Sequence, residues 1–336
     1  MTSPPAMRRR AFHWLSENTA AIVVFLGLAL LPAFISGYVI YIVPQYLLYG
    51  VLAMSLALLW GFTGILSFGQ AAFFALGAYA MGLAPQWVSS GNPVYFGLAA
   101  SLGIGVALAG IVGYFLFSAG VRDVYFVLVT LALSIMTEQI TVSQSDITGG
   151  YNGMFIPRAQ LSFGGLNLDL SADVPMYYTI LPIVIGMYVL LRLVVASRFG
   201  KVLVGIRENE DRVLSLGFRT PLYKTAAFAL SGAVAGLAGA LYGAHASFVS
   251  PSLAGVLFST QVVVWVAIGG RESLLGALLG AVGVAALSNY LTAITPEYWQ
   301  LVVGVLFVIV IVAFRGGVAG ALMRLGRPRT MEPERG

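Results

Sequence analysis

The chain has 336 residues, 59% of them hydrophobic and only 9% charged, and carries a formal net charge of +5. Soluble domains hold about 25% charged residues, so this composition excludes a single water-soluble core and calls for lipid as the solvent of most of the surface. Cysteine is absent, which excludes a disulfide framework and a thiolate metal site, and the two histidines, His13 and His245, cannot hold a metal alone.

The apolar residues fall in blocks of roughly 20, the length that carries a helix across about 30 Å of hydrocarbon. Alternating ten-residue strands of the barrel type are missing. The expected fold class is therefore all-α, a polytopic membrane protein of about ten transmembrane helices. Residues 1–19, with Arg8 to Arg10, read as a cytoplasmic N-terminal segment. No small-residue cleavage signal follows the first apolar run, so that span is read as retained. The spans expected in chain order are Ala20 to Phe34, Val39 to Trp60, Gly64 to Ala84, Val94 to Ser118, Val124 to Val142, Met176 to Ala196, Tyr223 to His245, Leu257 to Gly269, Leu274 to Ile294 and Tyr298 to Phe314. One transmembrane domain then covers 20–315, with an outer loop at 143–175, a cytoplasmic loop at 197–222 and a basic tail at 316–336.

An even number of spans puts both termini on one side, and the basic residues then sort. Arg8 to Arg10, Arg122, Arg198, Lys201, Arg207, Arg212, Arg219, Lys224, Arg271, Arg315, Arg324, Arg327, Arg329 and Arg335 fall together, with Arg192 at the inner end of its span, and Arg158 lies opposite. Basic residues collect in the cytoplasm, so both ends are expected there. Small residues recur every four positions: Gly232, Gly236 and Ala240, and Ala235, Gly239 and Gly243, in span seven; Gly105, Ala109 and Gly113 in span four; Gly276 and Gly280 in span nine. Such stripes let backbones approach closely, and two of them on span seven predict a helix enclosed on both sides.

The polar segment Ser197 to Leu222 is expected to hold a short helix, with Glu208, Glu210 and Asp211 in its first turn, where the dipole favours acids, and with Gly217 as its C-terminal cap. Val213, Leu214 and Leu216 give it an apolar face. Two readings stay open: a helix resting on lipid headgroups, or a docking helix for another protein. Gly200-Lys201 lacks the upstream glycine and the Ser or Thr of a phosphate-binding loop. Leu230-Ser231-Gly232-Ala233, although it superficially matches an ATPase signature, lies inside span seven and reads as packing. If ATP drives this protein, another chain must hydrolyse it.

On the outer side, Glu138 and Gln139 near the end of span five, and Thr148, Tyr151 and Asn152 among the glycines 149, 150 and 153, are candidate pathway residues. A carboxylate at that depth needs water or a partner, and the glycines permit a tight turn. The structural alternatives are a helix already at the headgroups and an ordinary turn. Ser67 and Gln70, in Gly64-Ile65-Leu66-Ser67-Phe68-Gly69-Gln70, mark a helix break that could leave backbone groups for a solute or could be packing. Gly269-Gly270-Arg271-Glu272-Ser273 reads as a structural inner turn.

Four blocks, GILSFGQAAFFALGAYAMG, TGGYNGM, GIRENEDRVLSLGFRTPLYKTAAFALSGAVAGLAGALYG and VVVWVAIGGRESLLGALLGA, in that order between about Val39 and Gly320, resemble the branched-chain amino acid and amide permeases of ABC importers. Some variants within these blocks are similar to members assigned to urea. Gln70 stands where many relatives have histidine, and Phe314 to Gly317 lacks the proline common near the end of the last span. The resemblance implies a pore-forming subunit in the bacterial inner membrane, surrounded by membrane lipid. Its implied partners are a second homologous permease, cytoplasmic ATPase subunits that bind the ATP, and a periplasmic solute-binding protein. No cofactor on this chain, no catalytic activity and no nucleic-acid partner are expected. Arg207, Glu208, Asn209, Glu210, Arg212, Leu216 and Gly217 would then contact the ATPase. The solute implied is a branched-chain amino acid, a short amide or urea. The rival expectation is a self-contained passive channel or secondary transporter for a small neutral solute. Ionisable residues, which ion-coupled carriers bury at mid-membrane, are nearly missing from the middle of the spans.

Overall fold

A computed structural model of the chain describes residues 5–88, 92–157, 160–163, 166–169, 172–294 and 304–305. Helix α1 runs Pro5–Phe34, so the N-terminal segment from Pro5 is helical and continuous with the first span. It is followed by α2 (Tyr38–Thr63), α3 (Gln70–Trp87), α4 (Pro93–Ser118) and α5 (Asp123–Ser143). A single turn, α6 (Ser145–Thr148), leads to strand β1 (Met154–Phe155) and a hairpin of β2 (Gln160–Phe163) with β3 (Leu166–Asp169). Then come α7 (Asp173–Ala196), the two loop helices α8 (Arg198–Glu208) and α9 (Glu210–Ser215), α10 (Thr220–Ala246), strand β4 (Phe248–Val249), α11 (Val256–Gly269) and α12 (Leu274–Ile294).

Six of these, α2, α4, α5, α7, α10 and α12, are long and apolar enough to cross a membrane, and the apolar part of α1 and all of α11 are shorter. The expected tenth span, Tyr298 to Phe314, lies outside the described residues except for Gly304 and Val305, which are helical. About 78% of the most apolar stretch of α2 and 72% of that of α10 is buried, against 28% for α4, α5 and α7. The first two are the bundle's core, and the other three present their outer faces to lipid.

The two small-residue faces of α10 explain its central position. A side chain at Gly232 would meet Ala109 and the Gly105 carbonyl of α4, and one at Gly239 or Gly243 would meet the backbone of Phe74 or Ala78 in α3. With no hydrophobic drive between helices in lipid, such backbone contact is what holds them together. Gly276 and Gly280 of α12 pack in the same way on Gly269 and Trp265 of α11.

The third span departs from its expected boundaries. Residues 64–69 are not helical, and α3 begins at Gln70 and runs to Trp87. Gly64 at φ +76° ends α2. The break survives inside the bundle because α5 satisfies it: Thr130 Oγ1 accepts from Phe68 N at 3.1 Å, and Ser134 Oγ donates to Phe68 O at 2.8 Å. Non-helical backbone at membrane depth requires such protein partners.

Candidate functional site

The loop between α7 and α10 forms two helices where the sequence suggested one. Ser197 Oγ caps α8 by accepting from Gly200 N at 3.4 Å, and Asn209 Oδ1 caps α9 by accepting from Arg212 N at 2.9 Å. Glu208 therefore ends α8 and is not in the first turn of α9, which holds Glu210 and Asp211. The reason is Asn209, whose extended backbone, φ −163° and ψ 101°, interrupts the helix. Gly217 follows α9 at φ +87° and donates to Leu214 O at 2.9 Å, the left-handed cap expected of it. Leu203 and Ile206 of α8 and Val213 of α9 are buried, whereas Leu214 and Leu216, expected on the same apolar face as Val213, are exposed.

Two charged residues fasten this loop to the bundle. The Arg207 guanidinium donates to the Gly61 carbonyl near the end of α2, reaches Glu272 Oε1 in the α11–α12 turn at 3.3 Å and holds Glu208 Oε1 at 2.8 Å. A side chain at Gly61 would strike the Arg271 carbonyl, so that glycine lets the turn sit directly on α2. Arg271 in turn lies over the Trp60 ring, 5.8 Å from its centroid. Glu210 accepts from Lys224 Nζ at 2.6 Å and from Thr220 Oγ1 at 2.8 Å, both in the first turns of α10, and lies 3.8 Å from Arg122 Nε between α4 and α5.

Burial alone would push the Glu210 carboxyl up, but hydrogen bonds from Lys224 and Thr220, with the charges of Lys224 and Arg122, outweigh it and hold the group below its ordinary value. A cavity of about 360 Å³ lies beneath the loop, lined by Arg122, Arg207, Glu210 and Lys224 and by the end of α2. The loop is thus clamped at two points over open space. Arg212, Leu216 (70% exposed) and Gly217 point away from the bundle, together with Glu208 and Asn209.

The candidate pathway residues do not gather at one point. Ser67 is buried and accepts from Gly69 N at 3.1 Å. Gln70 is buried at the start of α3, where its Oε1 accepts from Ser55 Oγ at 3.1 Å. Glu138 is half-buried against Gly255, just before α11, and Gln139 is exposed. Thr148 Oγ1 bonds back to the carbonyls of Thr141 and Gln144 and accepts from Gly150 N at 3.3 Å. Tyr151 and Asn152 project from that turn, Tyr151 with 82% of its surface exposed. The segment after the turn is stapled to the end of α10 by the β1–β4 pairing, Met154 opposite Val249 and Phe155 opposite Phe248.

Sequence reasoning missed the fastening role of Arg122, Thr220, Lys224 and Glu272. The charges of Arg122, Lys224 and Glu272 were legible, but their pairing was not, since it joins residues as far apart as Arg122 and Glu210, or Arg207 and Glu272.

A bundle of apolar spanning helices carrying a clamped polar loop is a multi-pass membrane protein. Residues 38–311 match the family described as the permease component of the branched-chain amino acid transport system. The chain belongs to that family, and is an inner-membrane permease. It is similar to LivM, a permease protein of the high-affinity branched-chain amino acid transport system of Escherichia coli, with 29% identity over 303 residues that span 84% of this chain and 70% of the relative. A probable LivM of Methanocaldococcus jannaschii is 26% identical over 270 residues, 69% and 75% of the two chains. The ribose import permease RbsC of Haemophilus influenzae is 24% identical over 237 residues, 68% and 71% of the two. No solved structure matches the chain.

Proposed function

We propose that this chain is the pore-forming permease of an ABC importer that takes up branched-chain amino acids handed over by a periplasmic binding protein. It works beside a second, homologous permease and is driven by ATP bound and hydrolysed on separate cytoplasmic subunits. Ten spans with both termini in the cytoplasm place α8 and α9 on the ATPase side and the β1–β4 pairing outside. Short amides and urea remain within the same class of neutral solute, and the named relatives favour the amino acids. The chain itself binds no cofactor and catalyses no reaction.

The observation that carries this reading is the division of labour in the loop. Arg207 and Glu210 are committed inward, while Arg212 and Leu216 are exposed on the opposite side. Leu214, Leu216 and Phe218 are exposed close together beside Arg212, and such an apolar group on a polar loop fits a protein partner. Movement of that partner reaches α2 and the α11–α12 turn through Arg207, and α10 and the α4–α5 connection through Glu210. Loop displacement would thereby bias a two-state bundle between outward and inward access.

The test is the double substitution Arg212→Glu with Leu216→Asp. It should abolish co-purification of the ATPase subunits and ATP-driven uptake, while membrane level and thermal stability of the permease stay as in the wild type. Normal uptake by this variant would sink the assignment.

A further inference from the structure

We infer that the cleft between α2, α11 and α12 is a binding site for a neutral amino acid on its way through the membrane; the inference rests on the permease reading above. The cleft encloses about 430 Å³, within the usual range for small-molecule sites. Its polar lining comes from three helices: Gln45 and Tyr49 of α2, Gln261 and Trp265 of α11, and Ser288 and Asn289 of α12.

These groups converge at one depth. At 1.5 Å of rise per residue, Gln45 lies roughly 10 Å from the start of α2, Gln261 roughly 8 Å from the start of α11, and Ser288 roughly 9 Å from the end of α12. In the proposed orientation α2 and α11 run inward and α12 runs outward, so all three belong to the outer half of the membrane. Amide and hydroxyl groups facing hydrocarbon are costly. Along α4, by contrast, the exposed positions from Leu102 to Phe115 are apolar or aromatic. The α2–α11–α12 face, which Gly304 also lines, is therefore suited to water or a polar solute and not to lipid.

The lining also selects a ligand class. It contains no carboxylate, ammonium or guanidinium among the described residues, so a net charge would be desolvated there without a partner. Amides and hydroxyls offer both donors and acceptors, so the lining can hydrogen-bond both the ammonium and the carboxylate of a zwitterion. The apolar side chain has its own wall: Trp265 stacks on Tyr49 with centroids 5.1 Å apart, and Phe258 and Tyr242 brace Tyr49 from other sides, each at 5.6 Å. The polar groups are already oriented. Gln45 Nε2 donates to Tyr49 Oη at 2.8 Å, and Asn289 Nδ2 donates to Tyr38 Oη at 3.2 Å. None of the seven pathway residues suggested by the sequence lines this cleft.

The chain has no cysteine, which makes the test direct. Ser288→Cys, Gln261→Cys and, on the lipid face, Leu128→Cys are each placed in the complete transporter in proteoliposomes and treated with a membrane-impermeant methanethiosulfonate, labelling being read on this chain. Labelling at the first two positions should cut L-leucine uptake about tenfold, and saturating L-leucine should slow that labelling about fivefold, the size expected from losing or gaining one or two solute hydrogen bonds. Leu128→Cys should stay unlabelled. Separately, Gln261→Leu should raise the apparent KM for L-leucine by a similar factor, with binding-protein-stimulated ATPase activity retained. No labelling at either cleft position, labelling that leaves uptake intact, or protection by urea and not by leucine would overturn the site. Failure of the permease reading looks different: the wild-type assembly would then show no ATP-dependent uptake.

Discussion

Lys224 Nζ lies 2.6 Å from Glu210 Oε1, joining the first turn of α9 to the first turns of α10. Both side chains are mostly buried, with 10% and 18% of their surface exposed, and Thr220 completes the carboxylate's partners. Removing the charge by Glu210→Gln or Lys224→Met should cost about 1.5–3 kcal/mol, as for a charged hydrogen bond. The pair should show coupling in a double-mutant cycle read by thermal unfolding in detergent. Additive losses would mean that the contact does not hold the loop.

The same carboxylate gives a pH dependence with a defined sign. Its folded value is lowered, so its contribution is complete above the ordinary value of 4.5 and is lost as the pH falls through the lowered one. The stability difference between wild type and Glu210→Gln should be flat near neutrality and should shrink on acidification below about pH 4.5. A difference that grows in acid would contradict the assigned partners.

Arg207 uses the shape of its guanidinium as well as its charge, since one nitrogen serves Gly61 O and Glu272 and another serves Glu208. A lysine keeps the charge but not the fork. Arg207→Lys should therefore lower ATP-driven uptake severalfold while the ATPase still co-purifies, whereas the Arg212→Glu, Leu216→Asp variant loses both. Retained uptake would show that the link to α2 and the α11–α12 turn does not transmit the motion.

Close packing of α10 is testable by one added methyl group. Gly239→Ala would drive a Cβ into the Phe74 carbonyl and should destabilise the bundle by about 1–3 kcal/mol. Gly283→Ala, with nothing within 4 Å, should be neutral or slightly stabilising because alanine is the better helix former. Equal melting temperatures for the two variants would refute the contact.

Much of the bundle is legible in the sequence because lipid imposes a simple rule: an apolar block of spanning length becomes a helix. The central place of α10 was readable from its two small-residue faces, since close backbone approach leaves a four-residue spacing in the chain. A break near Gly64 to Gln70 was readable from its glycines and polar side chains, but its extent and its support were not, because Ile65, Leu66 and Phe68 are as apolar as the helices on either side, and its stabilising hydroxyls, Thr130 and Ser134, stand 62 and 66 residues away from Phe68. In the loop, local signals such as Gly217 were visible. The division between Arg207, turned inward, and Arg212, turned outward, depends on which tertiary partners lie in reach, and neighbouring residues carry no trace of that. The cleft at Gln45, Gln261 and Ser288 was hidden for the same reason, each helix supplying one or two polar side chains that look incidental alone.

The most direct test of the central claim is uptake of radiolabelled L-leucine into proteoliposomes that hold this chain either alone or with the second permease, the ATPase subunits and internal ATP, the binding protein being supplied outside. The account predicts uptake only from the complete assembly, dependent on ATP and on the binding protein. Comparable uptake by the chain alone, without ATP, would contradict it and establish the passive channel.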